Sequence, residues 1–387
     1  MNQPVIKTPQ KIYGLDGLRF ISFVAVIINH VYDYLHFYGY SFAKAGWLKA
    51  AGIYGVEYFF TGSGFLITYM LLNEREKTGG FNIKYFYLRR IFRIWPAYYL
   101  LVAAVYLFVY TNPWFSIPAL SEAFNPWSAT ALLLFLCFLP HVAAMAQIPA
   151  APYLDHTYTI GIEEQFYLVW ALLFRYFSKY FMLFVNILLA VGLGLSLMHY
   201  FFYERIENSP FRFLNAIAVY YNYSQFTTFA IGSLVAVYYR GGHRSLSLFQ
   251  NKIFQVLFYI VLALLLYFDV RTPFLYYEFV SLLVAVLLLI ATYPKTSIIP
   301  YAHPVAEYLG KISYGVYLFH LVAITICIKY FVFVAKMDIF KPVNLWLLAF
   351  LSVLLSILFG LASYYTVEKY FMRIKDRFKA VRSKKNN

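Results

Sequence analysis

The sequence predicts an all-α polytopic integral membrane protein with about ten transmembrane helices and one re-entrant or interfacial segment. Three observations carry that prediction. Of the 387 residues, 62% are hydrophobic and 13% charged, whereas an average soluble domain has about 25% charged residues. Apolar runs of about twenty residues, long enough to cross a bilayer, recur from residue 18 to residue 366. The Lys and Arg fall in the short connections between those runs, as the positive-inside bias requires. The net charge of +15 therefore reports topology, and nucleic acid is not an expected partner.

Eleven runs can be drawn, at 18–38, 52–73, 94–111, 128–146, 161–178, 181–203, 218–239, 252–268, 275–293, 312–334 and 343–366. The first holds Arg19 and His30. The second has a cluster of small residues, Gly62, Ser63 and Gly64, at its middle. The third follows the basic cluster Arg89, Arg90 and Arg93, and Pro96 restricts how its helix begins. The fourth is broken by Pro140 and His141 and runs into the Pro-rich QIPAAPYLDH. It is the segment expected not to cross, packed against protein as irregular backbone at membrane depth must be. The fifth carries the adjacent carboxylates Glu163 and Glu164. The sixth to ninth are apolar runs, with Arg240, Arg244 and Lys252 between the seventh and eighth. The tenth contains His320, and the eleventh leads into a basic C-terminus.

A cytoplasmic N-terminus puts 23 of the 32 Lys and Arg on the inside, so both termini are expected in the cytoplasm and the chain in the plasma (inner) membrane. MNQPVIKTPQK is polar, and the run after it is too long and lacks a cleavage site, so it reads as a signal anchor. Cys137 and Cys327 lie in apolar stretches and indicate neither a disulfide nor a metal site. No repeat or flexible linker divides the chain. Residues 1–372 are read as one membrane domain, and 373–387 as a solvated basic tail attracted to anionic lipid. The 40 Phe and 39 Tyr fit aromatic belts at both interfaces or the wall of a sugar-binding cavity.

Arg19 and His30 are the most informative pair. Ionisable residues inside a membrane span are costly and face a protein interior or a wet cavity. Eleven residues at about 100° each come within about 20° of three turns, so both side chains share a helix face, roughly 16 Å apart along the axis. The competing reading is an interfacial Arg that snorkels and a His satisfied by a neighbouring helix.

Five stretches stand out: LDGLRFISFVAVIINH (15–30), GVEYFFTGSGFLIT (55–68), YLRRIFRIWPAYYL (87–100), HTYTIGIEEQFYLVW (156–170) and GKISYGVYLFH (310–320). In order and spacing they resemble the acyltransferase-3 family of membrane enzymes, which O-acylate cell-envelope carbohydrates and some small molecules. The resemblance runs from about residue 12 to about residue 370. It implies that Arg19 and His30 are the family's essential pair, that Arg90 and Arg93 are its cytoplasmic Arg-x-x-Arg, and that Ser63, Gly64 and Phe65 are its Ser-Gly-Phe. Glu163 and Glu164 match its Glu-Glu-Gln-Phe-Tyr. Tyr158 and Thr159 stand where the family has Trp and Ser, and Phe319 where it usually has Trp, which bears on acceptor choice. Larger members carry an additional esterase-like domain, for which 387 residues leave no room.

Acyl transfer from a thioester to a hydroxyl needs a base, stabilisation of the tetrahedral oxyanion and an anchor for the donor. A neutral imidazole suits the base, and His30 is the candidate; direct transfer and an acyl-His intermediate both stay open. Asp33, three residues on, either orients the ring or sits at the outer water interface. Guanidinium groups suit the phosphates of acyl-CoA, the expected donor, with acetyl-CoA foremost. Arg90 and Arg93 are assigned to it, against ordinary positive-inside charge. Gly62, Ser63 and Gly64 either let the pantetheine arm pass or pack helices closely.

Glu163 and Glu164 diverge by about 100° on a helix, so only one can face the site. His320 and Tyr158 are further candidates, with His141, His156 and His199 below them. No metal is expected. The acceptor, a carbohydrate or other hydroxylated envelope molecule, is not identified. A secondary transporter or flippase of an envelope glycan precursor is the rival class, but it would favour two matching halves with discontinuous helices.

Overall fold

A computed structural model describes residues 12–40, 46–121, 128–145, 148 and 152–378. Among them are fifteen α-helices and no strand. The N-terminal half holds α1 (Leu15–Phe37), α2 (Gly46–Thr78), α3 (Ile83–Ala104), α4 (Pro118–Ser121), α5 (Ala129–Leu136), α6 (Pro140–Met145) and α7 (Tyr158–Phe177). The remainder holds α8 (Phe181–Glu207), α9 (Phe213–Ser224), α10 (Phe226–Arg240), α11 (Lys252–Tyr267), α12 (Tyr276–Ala291), α13 (Pro304–Cys327), α14 (Pro342–Ser363) and α15 (Lys369–Lys375). The N-terminal residues read as polar flank of the anchor lie outside the described residues.

Five helical stretches are long and apolar enough to cross a membrane: Leu15–Phe37, Ile83–Val109, Phe181–Glu207, Pro304–Val334 and Pro342–Phe378. A sixth arises if Arg244–Gln250 and Lys252–Tyr267, bent by 66°, form one span. That is fewer than the ten expected, although helices occupy the predicted runs. The shortfall has identifiable causes. α2 carries Glu57 and its small-residue cluster, and α7 carries Glu163, Glu164 and Gln165, so polar residues dilute both. α12 has only 16 residues. The predicted run 218–239 is broken at Gln225, whose φ of 50° lies in the left-handed region that an L-residue adopts at a cost.

Large apolar side chains nevertheless face outward along the chain, with Phe108 70% and Ile253 73% exposed, which suits a lipid surface. The fourth run splits into α5 and α6 around Phe138, with φ of 59°. The carbonyl ends of α5 are satisfied by α3: Tyr98 donates to the Phe135 carbonyl at 2.7 Å and Tyr99 to that of Leu136 at 2.9 Å. The segment thus rests on protein, as its irregular backbone requires.

α2 sits at the centre, flanked by α1, α10 and α12. α1 and α2 run antiparallel. Asn29 lies against Gly52, and near the other end of α1 the Tyr58 hydroxyl donates to the Leu15 carbonyl at 2.6 Å. The α2–α10 approach is close because both helices present glycine. A Cβ at Gly64 would fall 2.2 Å from the Phe229 carbonyl oxygen, and one at Gly232 2.0 Å from that of Thr61. Thr68 and Trp170 add polar links, Thr68 to Ser233 at 2.7 Å and Trp170 to Thr68 at 3.0 Å. This pairing fixes one face of α2 against α10 and leaves the other to line a cavity.

Candidate active site

That cavity has a volume of about 610 Å³, within the range of small-molecule sites. One end of it is basic. Lys77 from the end of α2, Arg89, Arg90 and Arg93 from the first turns of α3, and Lys375 from α15 line it together with Glu74. Farther in, Arg19 of α1, Gly62 and Ser63 of α2, and Glu163 and Tyr167 of α7 form the wall, and Thr159 and Tyr317 close it.

The guanidiniums differ in how far they are already engaged. Arg89 donates to Glu74 at 2.7 Å and to the Phe378 carbonyl at 2.9 Å; both ion-pair partners are about nine-tenths buried, so Arg89 acts as a clamp. Arg90 reaches only the Met70 sulfur, at 3.6 Å, and lies over the rings of Tyr167 and Phe86. Arg93 lies 2.8 Å from the Met372 sulfur and 4.0 Å from a Glu368 oxygen, and donates to the Lys311 carbonyl at 3.4 Å. A thioether is a weak acceptor, so Arg90 and Arg93 keep donor capacity for an anion. Arg19 is oriented by Asp16 at 2.7 Å, one turn back on α1.

The structure separates the two glutamates. Glu163 faces the cavity, accepting from Ser63 at 2.9 Å and from Tyr167 at 2.9 Å. Glu164 is absent from the lining. It turns to α3, where Trp95 donates to one of its oxygens at 3.2 Å. Gly64 likewise does not line the cavity, because its face of α2 is pressed on α10. Ser63 and Gly62 line it, so the small-residue cluster borders the cavity on one face and packs on α10 with the other. Tyr158 packs against Tyr223, ring centroids 5.8 Å apart, and is not in the lining either.

His30 also lies outside the cavity lining, beyond Tyr317, in a cluster of imidazoles. The rings of His30 and His320 are 5.2 Å apart, those of His320 and His156 4.8 Å, and those of Tyr317 and His320 5.5 Å. The Tyr317 hydroxyl is held by the His156 carbonyl and by Thr159. His320 Nδ1 lies 2.5 Å from the Tyr317 carbonyl and His156 Nε2 3.1 Å from that of Leu318. A carbonyl only accepts, so those nitrogens carry the protons, and His320 Nε2 and His156 Nδ1 are left as buried lone pairs without a hydrogen-bond partner. His30 Nδ1 is 3.6 Å from Asp33, and both side chains are partly exposed, 29% and 38%. Asn29 donates to the same Asp33 oxygen at 3.1 Å. Since α1 is unbroken, Arg19 and His30 mark its two ends of the site, about 16 Å apart.

Sequence reasoning missed Tyr317, Tyr167 and Lys375 and ranked His156 low. Tyr317 precedes His320 by three residues and Tyr167 follows Glu163 by four, so helical spacing already put each beside a candidate. His141, by contrast, is buried against Gln165 at 3.0 Å, and His199 stacks edge-on with Tyr203.

A family model described as an acyltransferase domain matches residues 12–365. A peptidoglycan O-acetyltransferase of Listeria monocytogenes is 30% identical over 186 residues, 48% of this chain and 27% of that protein. An O-acetyltransferase of Staphylococcus aureus (strain NCTC 8325 / PS 47) is 29% identical over 201 residues, 48% and 30% of the two. A protein of Staphylococcus aureus (strain COL), provisionally named an O-acetyltransferase, is 25% identical over 410 residues, 95% of this chain and 58% of that one. The chain therefore spans less than two thirds of the length of these relatives. No solved structure matches it.

Proposed function

This chain belongs to the acyltransferase-3 family of membrane proteins, and from that premise we propose that it moves an acyl group, foremost acetyl, from acyl-CoA to a hydroxyl of an envelope carbohydrate. The observation that carries this reading is one continuous cavity lined by the basic Arg90 and Arg93 and by Arg19, Ser63, Glu163 and Tyr317, with His30 one layer beyond. Phosphates of the donor bind at the mouth, where Arg90 meets no carboxylate and Arg93 has Glu368 only at 4.0 Å. The pantetheine arm runs along the Gly62–Ser63 face of α2, and the thioester reaches Tyr317.

His30 then acts from the opposite side. Its neutral ring takes the proton of the acceptor hydroxyl while that oxygen attacks the thioester carbonyl. Collapse of the tetrahedral intermediate breaks the C–S bond and releases the CoA thiolate, which takes up the proton held by His30; Arg19, about 16 Å away along α1, holds the donor from the other end of the cavity. In the two-step variant His30 is first the nucleophile and carries the acyl group to the acceptor. Asp33 holds the ring in either case. Glu163 binds through Ser63 and Tyr167 and is the glutamate assigned to the site; Glu164 is assigned to packing. Peptidoglycan is the acceptor named for the Listeria relative and is the first to test.

Incubating the purified full chain with acetyl-CoA and cell-wall glycan fragments should release CoA thiol and yield base-labile acetate on the glycan. Mass spectrometry of envelope carbohydrates with and without the protein should show the same ester. Neither thiol release nor any difference in esterification would sink the proposal.

We further assign the mouth to the cytoplasm, with both termini on that side and about ten crossings, from the bias of Lys and Arg. Single cysteines beside Arg90 and Arg244 should then react only with reagents that reach the cytoplasm, and one at Ala119 with impermeant reagents from outside. Labelling at Ala119 from the cytoplasm alone would invert the arrangement.

A further inference from the structure

We infer that the C-terminal helix is a working part of the donor site, closing the cavity mouth and supplying Lys375 as a phosphate-binding cation. The inference rests on the donor reading above but concerns a segment that lies beyond the residues matched by the family model, which end at 365. It concerns the first residues of the expected solvated tail. From Arg373 to Phe378 the chain is helical and packed on α3, while 379–387 lie outside the described residues.

Three sets of contacts hold it there. The last long helix passes through Tyr364–Glu368 with a widened turn and continues as α15. Phe371 and Phe378 stack on Phe92 of α3, with ring centroids 6.3 and 5.7 Å away and interplanar angles of 17° and 8°. Tyr85 meets Phe378 at 5.8 Å. The Phe378 carbonyl accepts from Arg89, which is also tied to Glu74. The end of α2, the start of α3 and the C-terminus are therefore joined at one buried guanidinium.

This docking has two consequences at the mouth. It puts Met372 and Glu368 beside Arg93, fixing that guanidinium. It also brings Lys375 into the lining with Lys77, Arg90 and Arg93. Lys77, Arg89, Arg90, Arg93 and Lys375 line the mouth with Glu74, so it presents an excess of positive charge to a ligand bearing several phosphates. A lysine serves such a ligand as a point charge, where the arginines serve as forks. Lys369, on the same short helix, instead lies over the Tyr365 ring at 4.8 Å and is not in the lining.

Equilibrium binding of coenzyme A to the full chain in lipid nanodiscs tests this. Lys375→Gln should weaken binding about tenfold or more, as expected for one charge-assisted phosphate contact. Lys375→Arg should stay close to wild type, and Phe378→Ala, which unhooks the segment, should weaken binding in the same direction. Lys369→Gln removes the same charge from the same helix and should bind as wild type. If Lys375→Gln and Phe378→Ala bind coenzyme A as wild type while Arg93→Ala does not, the C-terminal helix is only an anchor and the inference fails. If wild type itself does not bind coenzyme A, the donor reading fails, and the inference with it.

Discussion

Replacing His30 with alanine is expected to abolish acyl transfer while leaving insertion and thermal stability of the protein near wild type. The imidazole is partly exposed and its ring contacts are to His320, so truncation opens space beside a second imidazole without breaking α1. What it removes is the base. A positioned general base contributes about 10²–10⁴ in rate, and if His30 also carries the acyl group the loss is at the upper end or beyond. Steady-state transfer by the purified variant, together with its melting profile, checks this. Turnover near wild type in His30→Ala would remove the residue from the chemistry.

The same region separates a positioning role for Asp33 from a structural one. Asp33→Asn keeps the shape and the partner Asn29 but loses the charge facing His30 at 3.6 Å. A loss of kcat at unchanged donor KM fits orientation of the ring.

Much of this site was legible in the sequence because helices impose fixed spacing. Arg19 and His30 needed only the 3.6-residue period to be placed on one face of α1, and Arg90 and Arg93 the same rule one turn apart. The divergence of Glu163 and Glu164 was equally forced, but not its outcome. Which one faces the cavity depends on Trp95 and Ser63, side chains distant in the chain. Gly62, Ser63 and Gly64 form one word in the sequence but occupy two faces of α2, and the glycine in α10 that claims Gly64 lies far along the chain. The imidazole cluster was hidden for the same reason, since His30, His156 and His320 come from three separate segments.

Counting spans met an opposite difficulty. The polar residues that α2 and α7 carry lower their hydropathy, so these two helices fall short as spans, while α1, α3 and α13, which also line the cavity, qualify. Of the tail expected at 373–387, residues 373–378 are helical, with Arg373, Asp376 and Arg377 exposed and Phe378 stacked on Phe92, and the rest lies outside the described residues.

The second large effect is expected at Arg90 and Arg93, which we assign to the donor and not to the acceptor. Both line the cavity mouth, one turn apart on α3, so their guanidiniums face similarly and can clamp one phosphate group. Neither is committed to a close carboxylate: Arg90 meets a sulfur and two rings, and Arg93 a sulfur and the Lys311 carbonyl, with Glu368 at 4.0 Å. Charge-assisted contacts are worth about 1.5–3 kcal/mol each, so losing one should weaken donor binding roughly 10- to 150-fold. Arg93→Ala should therefore raise KM for acyl-CoA far more than KM for the acceptor, with kcat changed less.

Lysine should rescue only in part, because it keeps the charge and loses the fork. Arg89→Ala gives the contrast. Its guanidinium bridges Glu74 and the Phe378 carbonyl, so its removal strands a buried carboxylate and should lower the melting temperature. Acyl-CoA binding that is unchanged in the Arg90→Ala, Arg93→Ala double variant would show that the two residues only orient α3 at the membrane surface.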